Sequence, residues 1–258
     1  MDTTMYTKNF KRVPAIDKCF AILELLVQSK EPMGISDMSG QLGLNKSTVF
    51  NISHTLADLK VLENQGNGKF TFGTRFYILG NQAGKRSNLI QIARPYLEEI
   101  TEKTNLSAFL GLRSDSQAIL IDKVDSGHGI KVSSEIGMQM PNLAGAGIKA
   151  MLSQLPDEAI DEILARNELR RYTAFSILDK GAYKEEILEV RKQGIAYDLG
   201  EYIESMVGFA VPIRAYGGDN IQAAIWAAGL KSQVPEASLP MLKDLLIRIS
   251  EEVNCRLQ

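Results

Sequence analysis

The chain has 258 residues, 45% of them hydrophobic, with 29 basic against 31 acidic side chains, two cysteines and two histidines. This is enough for a sizeable core in one large or two smaller domains, and it excludes a disulfide framework, because Cys19 and Cys255 lie far apart without motif context. Two histidines are thin material for a metal site, no apolar run reaches the roughly 18 residues of a membrane span, and the start lacks the apolar stretch of a signal peptide. A cytoplasmic protein without cofactor, metal or membrane partner is therefore expected.

The near-neutral total hides an asymmetry. Residues 1–86 hold 11 Lys and Arg against 7 Asp and Glu, whereas residues 87–258 hold 18 against 24. A basic front joined to an acidic body points to a polyanion at the front only, although two solvated surfaces can differ this much by chance.

In chain order, Lys8, Lys11 and Arg12 precede an amphipathic helix over 15–29, with Ile16, Cys19, Phe20, Leu23, Leu26 and Val27 at helical spacing. After the turn EPMG, Ser36 is placed to cap a short helix ending at Gly43. Asn45 is placed to cap a third helix running to about Lys60, with Val49, Ile52, Leu56 and Leu59 as its buried stripe. The runs VLENQ and KFTFG, joined by GNG, read as a β-hairpin. Three helices and a hairpin make a winged helix-turn-helix domain over 1–85.

The third helix carries the chemistry. Burying Val49 and Ile52 leaves Lys46, Ser47, Thr48, Phe50, Asn51 and His54 on its free faces. A helix-turn-helix inserts the start of its second helix into the DNA major groove. Ser47 and Thr48 let the backbone approach a phosphate at the helix start, and Lys46 adds charge. Asn51 can pair with an adenine edge, and Phe50 can pack on a thymine methyl. Arg12, Ser36 and Lys69 complete the candidate DNA-binding set. Blander readings stand beside these: helix-start chemistry for Ser47 and Thr48, a core or contact role for Phe50, and surface packing for His54.

The stretches AIDKCFAILELL, GISDMSGQLGLNKSTVFNISHTL and FTFGTRFYILG resemble the IclR-type transcriptional regulators. The family usually has arginine where this chain has Asn51, so a different base preference is expected. The basic arm over 1–12 would touch backbone or minor groove, or stay a solvated tail.

Farther on, SNLIQIARPYLEEITEKTN reads as a linker helix over 86–94 and a second helix starting at Pro95, since proline suits a first helical turn. The resemblance makes this the junction to an effector-binding domain over 95–258. There, LSAFLGLR and QAILIDKV flank the turn SDS, and GIKVSSE is a further strand candidate. MPNLAGAGIKAMLSQLP passes from a glycine-rich loop into a helix, followed by helices near 157–166 and 183–193. GIAYDLG, GFAVPIRA and NIQAAIWAAG read as strands, and a last helix covers about 237–256. Strands with helices on one side form an α+β sensor domain; the resemblance implies a GAF-like fold.

Enzyme motifs are absent. GAGIKA lacks the phosphate-loop spacing, and Ala150 follows Lys149 where a magnesium-binding hydroxyl is needed. No nucleophile elbow or zinc-protease motif occurs. His128 lies in the turn DSGHG, and Asp198 with Glu201 has no partner nucleophile.

The resemblance instead implies a small-molecule pocket. Carried over by position, it comprises Gly145 and Ala146, whose amides would hold a carboxylate, with the acidic Asp198, Gly208 in place of a common cysteine, and Trp226 and Ala228 in place of common serines. Strand periodicity independently puts 224, 226 and 228 on one face. Losing a thiol and two hydroxyls favours a less polar or aromatic acid, with Met138, Met140, Leu143 and Phe209 as an adaptable wall. Ordinary core packing is the competing reading for Met138, Met140 and Phe209, and simple filling of the cavity for Trp226; Gly145 and Ala146 would then be a tight helix entry and Asp198 a cap or surface charge.

The expected protein is a DNA-binding regulator, a homodimer or homotetramer on double-stranded DNA, whose operator binding responds to a small-molecule effector. Two rivals remain: an enzyme acting on a small acid that uses the winged helix for oligomerisation, and an architectural DNA binder that ignores ligands.

Overall fold

The computed structural model describes residues 11–29, 31–85, 88–127, 134–214 and 222–257. Lys8, His128 and residues 129–133 of the strand candidate GIKVSSE lie outside these. The chain divides into two compact units, 1–85 and 86–258.

The first unit contains helix α1 (Pro14–Gln28), strand β1 (Met33–Gly34), helices α2 (Ile35–Leu42) and α3 (Lys46–Asp58), strands β2 (Leu62–Asn64) and β3 (Lys69–Phe72), and helix α4 (Thr74–Lys85). Pro14 opens α1, where its missing N–H costs nothing. The start of α2 differs from the sequence expectation. Gly34 is the N-cap residue and its N–H donates to Asp37 Oδ2 at 3.3 Å, while Ser36 sits exposed inside the first turn. Gly43 closes α2 with φ of 62°, a left-handed conformation that side chains resist, and this bends the chain sharply into α3. Asn45 does precede α3, but its side chain makes no capping hydrogen bond.

The hairpin forms with β2 antiparallel to β3, and β1 pairs along the other edge of β3, which makes a three-stranded sheet. Ile22, Leu26, Met38, Val49, Leu56, Leu62 and Phe70 form the core. Leu59 was expected in that core but is exposed, because α3 ends at Asp58 and Leu59 already belongs to the turn. On α1 the buried face is Ile22, Leu23 and Leu26, whereas Val13, Ile16, Phe20 and Val27 form a second, outward apolar stripe. The tail of the wing, TRFYILGNQAGK, is helical throughout.

The second unit opens with α5 (Asn88–Thr104), which runs through Pro95 instead of starting there. Ala93, Tyr96, Leu97 and Ile100 are buried on either side of the exposed proline, so packing holds the helix across the lost hydrogen bond. The remaining elements are β4 (Ser107–Ser114), β5 (Gln117–Val124), α6 (Ala146–Leu152), α7 (Asp157–Arg166), α8 (Lys180–Gln193), β6 (Ala196–Asp198), β7 (Met206–Arg214), β8 (Gln222–Leu230) and α9 (Leu239–Arg256). The strands form an antiparallel sheet in the order β5-β4-β8-β7-β6.

Helices cover both faces of this sheet, not one. Alternation along the strands explains why. Ala223, Ile225 and Ala227 of β8, with Val207, Phe209, Val211 and Ile213 of β7, pack with α5 and α9. Ala224, Trp226 and Ala228, with Phe109 of β4 and Ala210 of β7, pack with α6, α7 and α8. A strand that is apolar at every position has two faces to bury, and both need cover. No described helix is long and apolar enough to cross a membrane.

Candidate functional site

Two sites emerge, one in each unit. In the first, α3 turns Val49, Ser53 and Leu56 into the core and leaves Lys46, Ser47, Phe50 and Asn51 exposed, with Thr48 and His54 partly so. The spacing i, i+4, i+7 of the buried set makes the opposite face a continuous polar stripe. The side chains of Lys46, Ser47, Thr48 and Asn51 have no hydrogen-bond or ion-pair partner in the described chain. Asn51 does supply its carbonyl to the Thr55 hydroxyl at 2.7 Å, but its amide is free. Free donors on an exposed helix start are what a phosphate or a base edge requires.

Phe50 is 48% exposed, a large apolar ring facing outward. Its ring lies tilted against His54 with centroids 4.2 Å apart, and His54 in turn meets the edge of the buried Phe70 at 5.4 Å. These contacts link the side chains to the hairpin. Three other candidates lie off this stripe. Arg12 Nε donates to Asp17 at 2.7 Å, an exposed pair of the kind that exchanges readily for another anion. Ser36 and Lys69 share an open groove with Ser29, Met33, Asp37 and Gln41, which α3 does not line.

The second site is a cavity of about 270 Å³ inside the second unit. Its walls come from β4 and β5 (Phe109, Ala118, Leu120), the segment before α6 (Ser134, Met138, Met140, Ala144, Gly145), α6 (Ala146, Gly147, Ile148), the end of β6 and its following loop (Asp198, Tyr202, Ile203), and β7 and β8 (Met206, Val207, Gly208, Trp226, Ala228). Of the sequence candidates, Met138, Met140, Gly145, Ala146, Asp198, Gly208, Trp226 and Ala228 line it. Leu143 lies instead at a small adjoining recess, its carbonyl accepting from the Tyr183 hydroxyl at 2.9 Å. Phe209 packs on the opposite face of the sheet, in the core shared with α5 and α9, in line with strand alternation from Gly208.

Trp226 forms the flat wall. Its ring stacks on Phe109 with centroids 5.6 Å apart and lies directly against Gly111, where an added Cβ would come within 2.7 Å of the indole. Gly111 is therefore required for close approach, not for backbone freedom. Asp198 is only 8% exposed, and its Oδ1 accepts the N–H groups of Gly200 at 3.0 Å and Glu201 at 2.7 Å. That pair of bonds holds the carboxylate and shapes the loop carrying Tyr202 and Ile203.

Behind the wall lies a feature that motif reasoning missed. Lys149 is fully buried, and its Nζ donates to Glu201 Oε1 at 2.6 Å, Glu186 Oε2 at 3.0 Å and the Tyr197 carbonyl at 3.2 Å. It ties α6, α8 and the loop after Asp198 together. Burial pushes the Glu201 carboxyl above its ordinary range despite the lowering influence of Lys149, with Asp198 and Glu186 adding to the rise. The available signal was a lone charge inside the apolar run AGIKAML, which buries all seven residues. Among the described residues no group of three His, Cys, Asp or Glu side chains could hold a metal ion.

Residues 15–66 match the family described as IclR helix-turn-helix domain, and residues 81–255 the family described as bacterial transcriptional regulator IclR C-terminal. The transcriptional repressor IclR of Escherichia coli strain K12 is 25% identical over 246 residues, covering 94% of this chain and 89% of that one. Among solved structures, an IclR transcriptional regulator from Alicyclobacillus acidocaldarius superimposes with a TM-score of 0.83 at 21% identity, over 96% of this chain and 100% of that one. An IclR homologue from Microbacterium hydrocarbonoxydans, solved in complex with 4-hydroxybenzoate, gives a TM-score of 0.78 at 19% identity, over 94% and 98%.

Proposed function

This chain belongs to the IclR family of bacterial transcriptional regulators, DNA-binding proteins with a C-terminal effector domain, and we propose that α3 reads operator DNA while the cavity of the second unit senses a small organic acid with an apolar or aromatic body. It is a regulator, not an enzyme, in keeping with relatives named as repressors. The observation that carries the DNA reading is the outward stripe of α3, where the side chains of Lys46, Ser47, Thr48 and Asn51 have no partner among the described residues. Ser47 and Thr48 bring the helix start to a phosphate, Lys46 adds charge, and Asn51 meets a base edge.

For the effector, the composition of the walls is the support. Phe109, Trp226 and three methionines offer an apolar, adaptable surface, and the amides of Gly145 and Ala146 at the start of α6 are the place for an acid group. A homologue of this fold solved in complex with 4-hydroxybenzoate supports an aromatic acid as the effector. Binding shifts the population between DNA-competent and incompetent arrangements by its differential affinity for them. The outward stripe of Val13, Ile16, Phe20 and Val27 on α1 supplies a surface for a second copy, in a homodimer or homotetramer on paired half-sites. A cytoplasmic location beside the DNA follows from the same reading.

Selection of bound fragments from the host genome tests this directly. The expected result is a recurrent, two-fold-related sequence, with Asn51→Ala losing about 1–3 kcal/mol of affinity for it and none for random duplex. Equal affinity for unrelated duplexes would instead favour an architectural DNA binder.

A further inference from the structure

The cavity holds one charged side chain among its described lining residues, and that charge is negative. Asp198 is more than nine-tenths buried, yet only Oδ1 is engaged, by the two backbone amides that follow it. Its Oδ2 has no hydrogen-bond partner in the described chain and lies 3.9 Å from the point where a Gly145 Cβ would sit, at the cavity wall. Among the described lining residues there is no lysine, arginine or histidine, and the other side chains able to hydrogen-bond are the hydroxyls of Ser134 and Tyr202, with the indole N–H of Trp226. This carboxylate oxygen of a buried residue, at the wall of a mainly apolar chamber, is an acceptor open to whatever occupies the cavity.

We propose that the effector is a hydroxylated aromatic compound whose O–H donates to Asp198 Oδ2. This rests on reading the cavity as the effector site, and it assigns which end of the ligand meets the carboxylate. An ionised acid group placed there would face like charge across a poorly screened gap. An ammonium group would surrender its hydration in an apolar chamber to a carboxylate already shared with two amides. A hydroxyl carries no charge to desolvate and forms a charge-assisted bond. The room suffices: an apolar cavity of about 150 Å³ already takes up benzene, and this one is about 270 Å³. The flat Trp226–Phe109 wall suits a planar ring.

The test uses the full chain, with Trp226 emission and calorimetry as readouts and three matched probes: 4-methylphenol, 4-methylanisole and 4-methylbenzylamine. The phenol is expected to bind roughly 10- to 100-fold more tightly than its methyl ether, the worth of a hydrogen bond to a charged group. In Asp198→Asn the retained Oδ1 still accepts both amides, while an N–H₂ replaces Oδ2, so the preference should vanish or reverse. Should that variant fail to fold, the wild-type ratio alone decides. Equal binding of phenol and ether, or tightest binding of the amine, would overturn the hydroxyl assignment and leave the cavity as the effector site. If none of the probes produced heat or altered the emission, both readings would fall.

Discussion

The two units solve opposite problems with their polar groups. In the first, a small core leaves the candidate DNA-binding side chains of α3 outside, where Lys46, Ser47 and Asn51 have no partner among the described residues. In the second, two hydrophobic layers enclose the sheet, and the polar groups that matter are inside: Asp198 at the cavity and Lys149 between two carboxylates. A surface that recognises a hydrated polyanion must keep its donors solvated until contact. A pocket that recognises a small molecule gains by desolvating a few of them in advance. On this reading, charge serves as a contact surface on α3 and as internal scaffolding around Lys149.

The comparison breaks first at Lys149. If it is scaffolding, Lys149→Met leaves the largely buried Glu201 without its counter-charge, while Glu186 stays half-exposed, and should cost about 3–5 kcal/mol of stability. Denaturant unfolding of the full chain measures this, and a loss below about 1 kcal/mol would place the lysine outside the framework. Gly208→Leu comes next. The first added carbon meets Ala146 and Asp198 at an ordinary 3.7 Å, so the fold should tolerate it while the rest of the side chain fills the cavity. Aromatic acids should then bind about 10- to 100-fold more weakly, the scale of overpacking, with operator affinity retained. Unchanged ligand affinity by calorimetry would move the site elsewhere. The smallest effect belongs to Lys46→Ala, which should lower the slope of log affinity against log salt by about 0.9 for one lost phosphate contact. A slope identical to wild type would take Lys46 off the DNA.

The same contrast explains what was legible in the sequence. The stripe on α3 is a local object: Val49 and Leu56 declare the buried face at helical spacing, and the candidate contact side chains are those that remain. The wing was equally local, marked by GNG between two alternating runs. What failed there were ends: Ser36 yielded the α2 cap to Gly34 and Asp37, and Leu59 fell one residue beyond the helix. In the second unit, strand alternation correctly put 224, 226 and 228 on one face, but the same alternation was not followed to Phe209, whose neighbour Gly208 already lines the cavity. Helices on both faces followed from strands apolar at every position, a cue outweighed by the expectation of a one-sided sheet. The Lys149 cluster joins residues 37 and 52 positions apart, and no local pattern announces such a partner. Pro95 misled because its context is tertiary: buried neighbours hold α5 together where propensity alone would end it.

The central claim is that the cavity and the stripe on α3 are coupled. Its most direct test is reciprocal affinity, measured by titrating the tightest-binding aromatic probe into the full chain alone and into the chain saturated with its selected operator, following Trp226. Linkage requires that the probe's affinity change between the two by the same factor as the operator's affinity changes when the probe is added, about 5- to 150-fold for typical coupling. Identical probe affinity with and without operator would contradict the account, because a ligand that does not distinguish the two states moves neither.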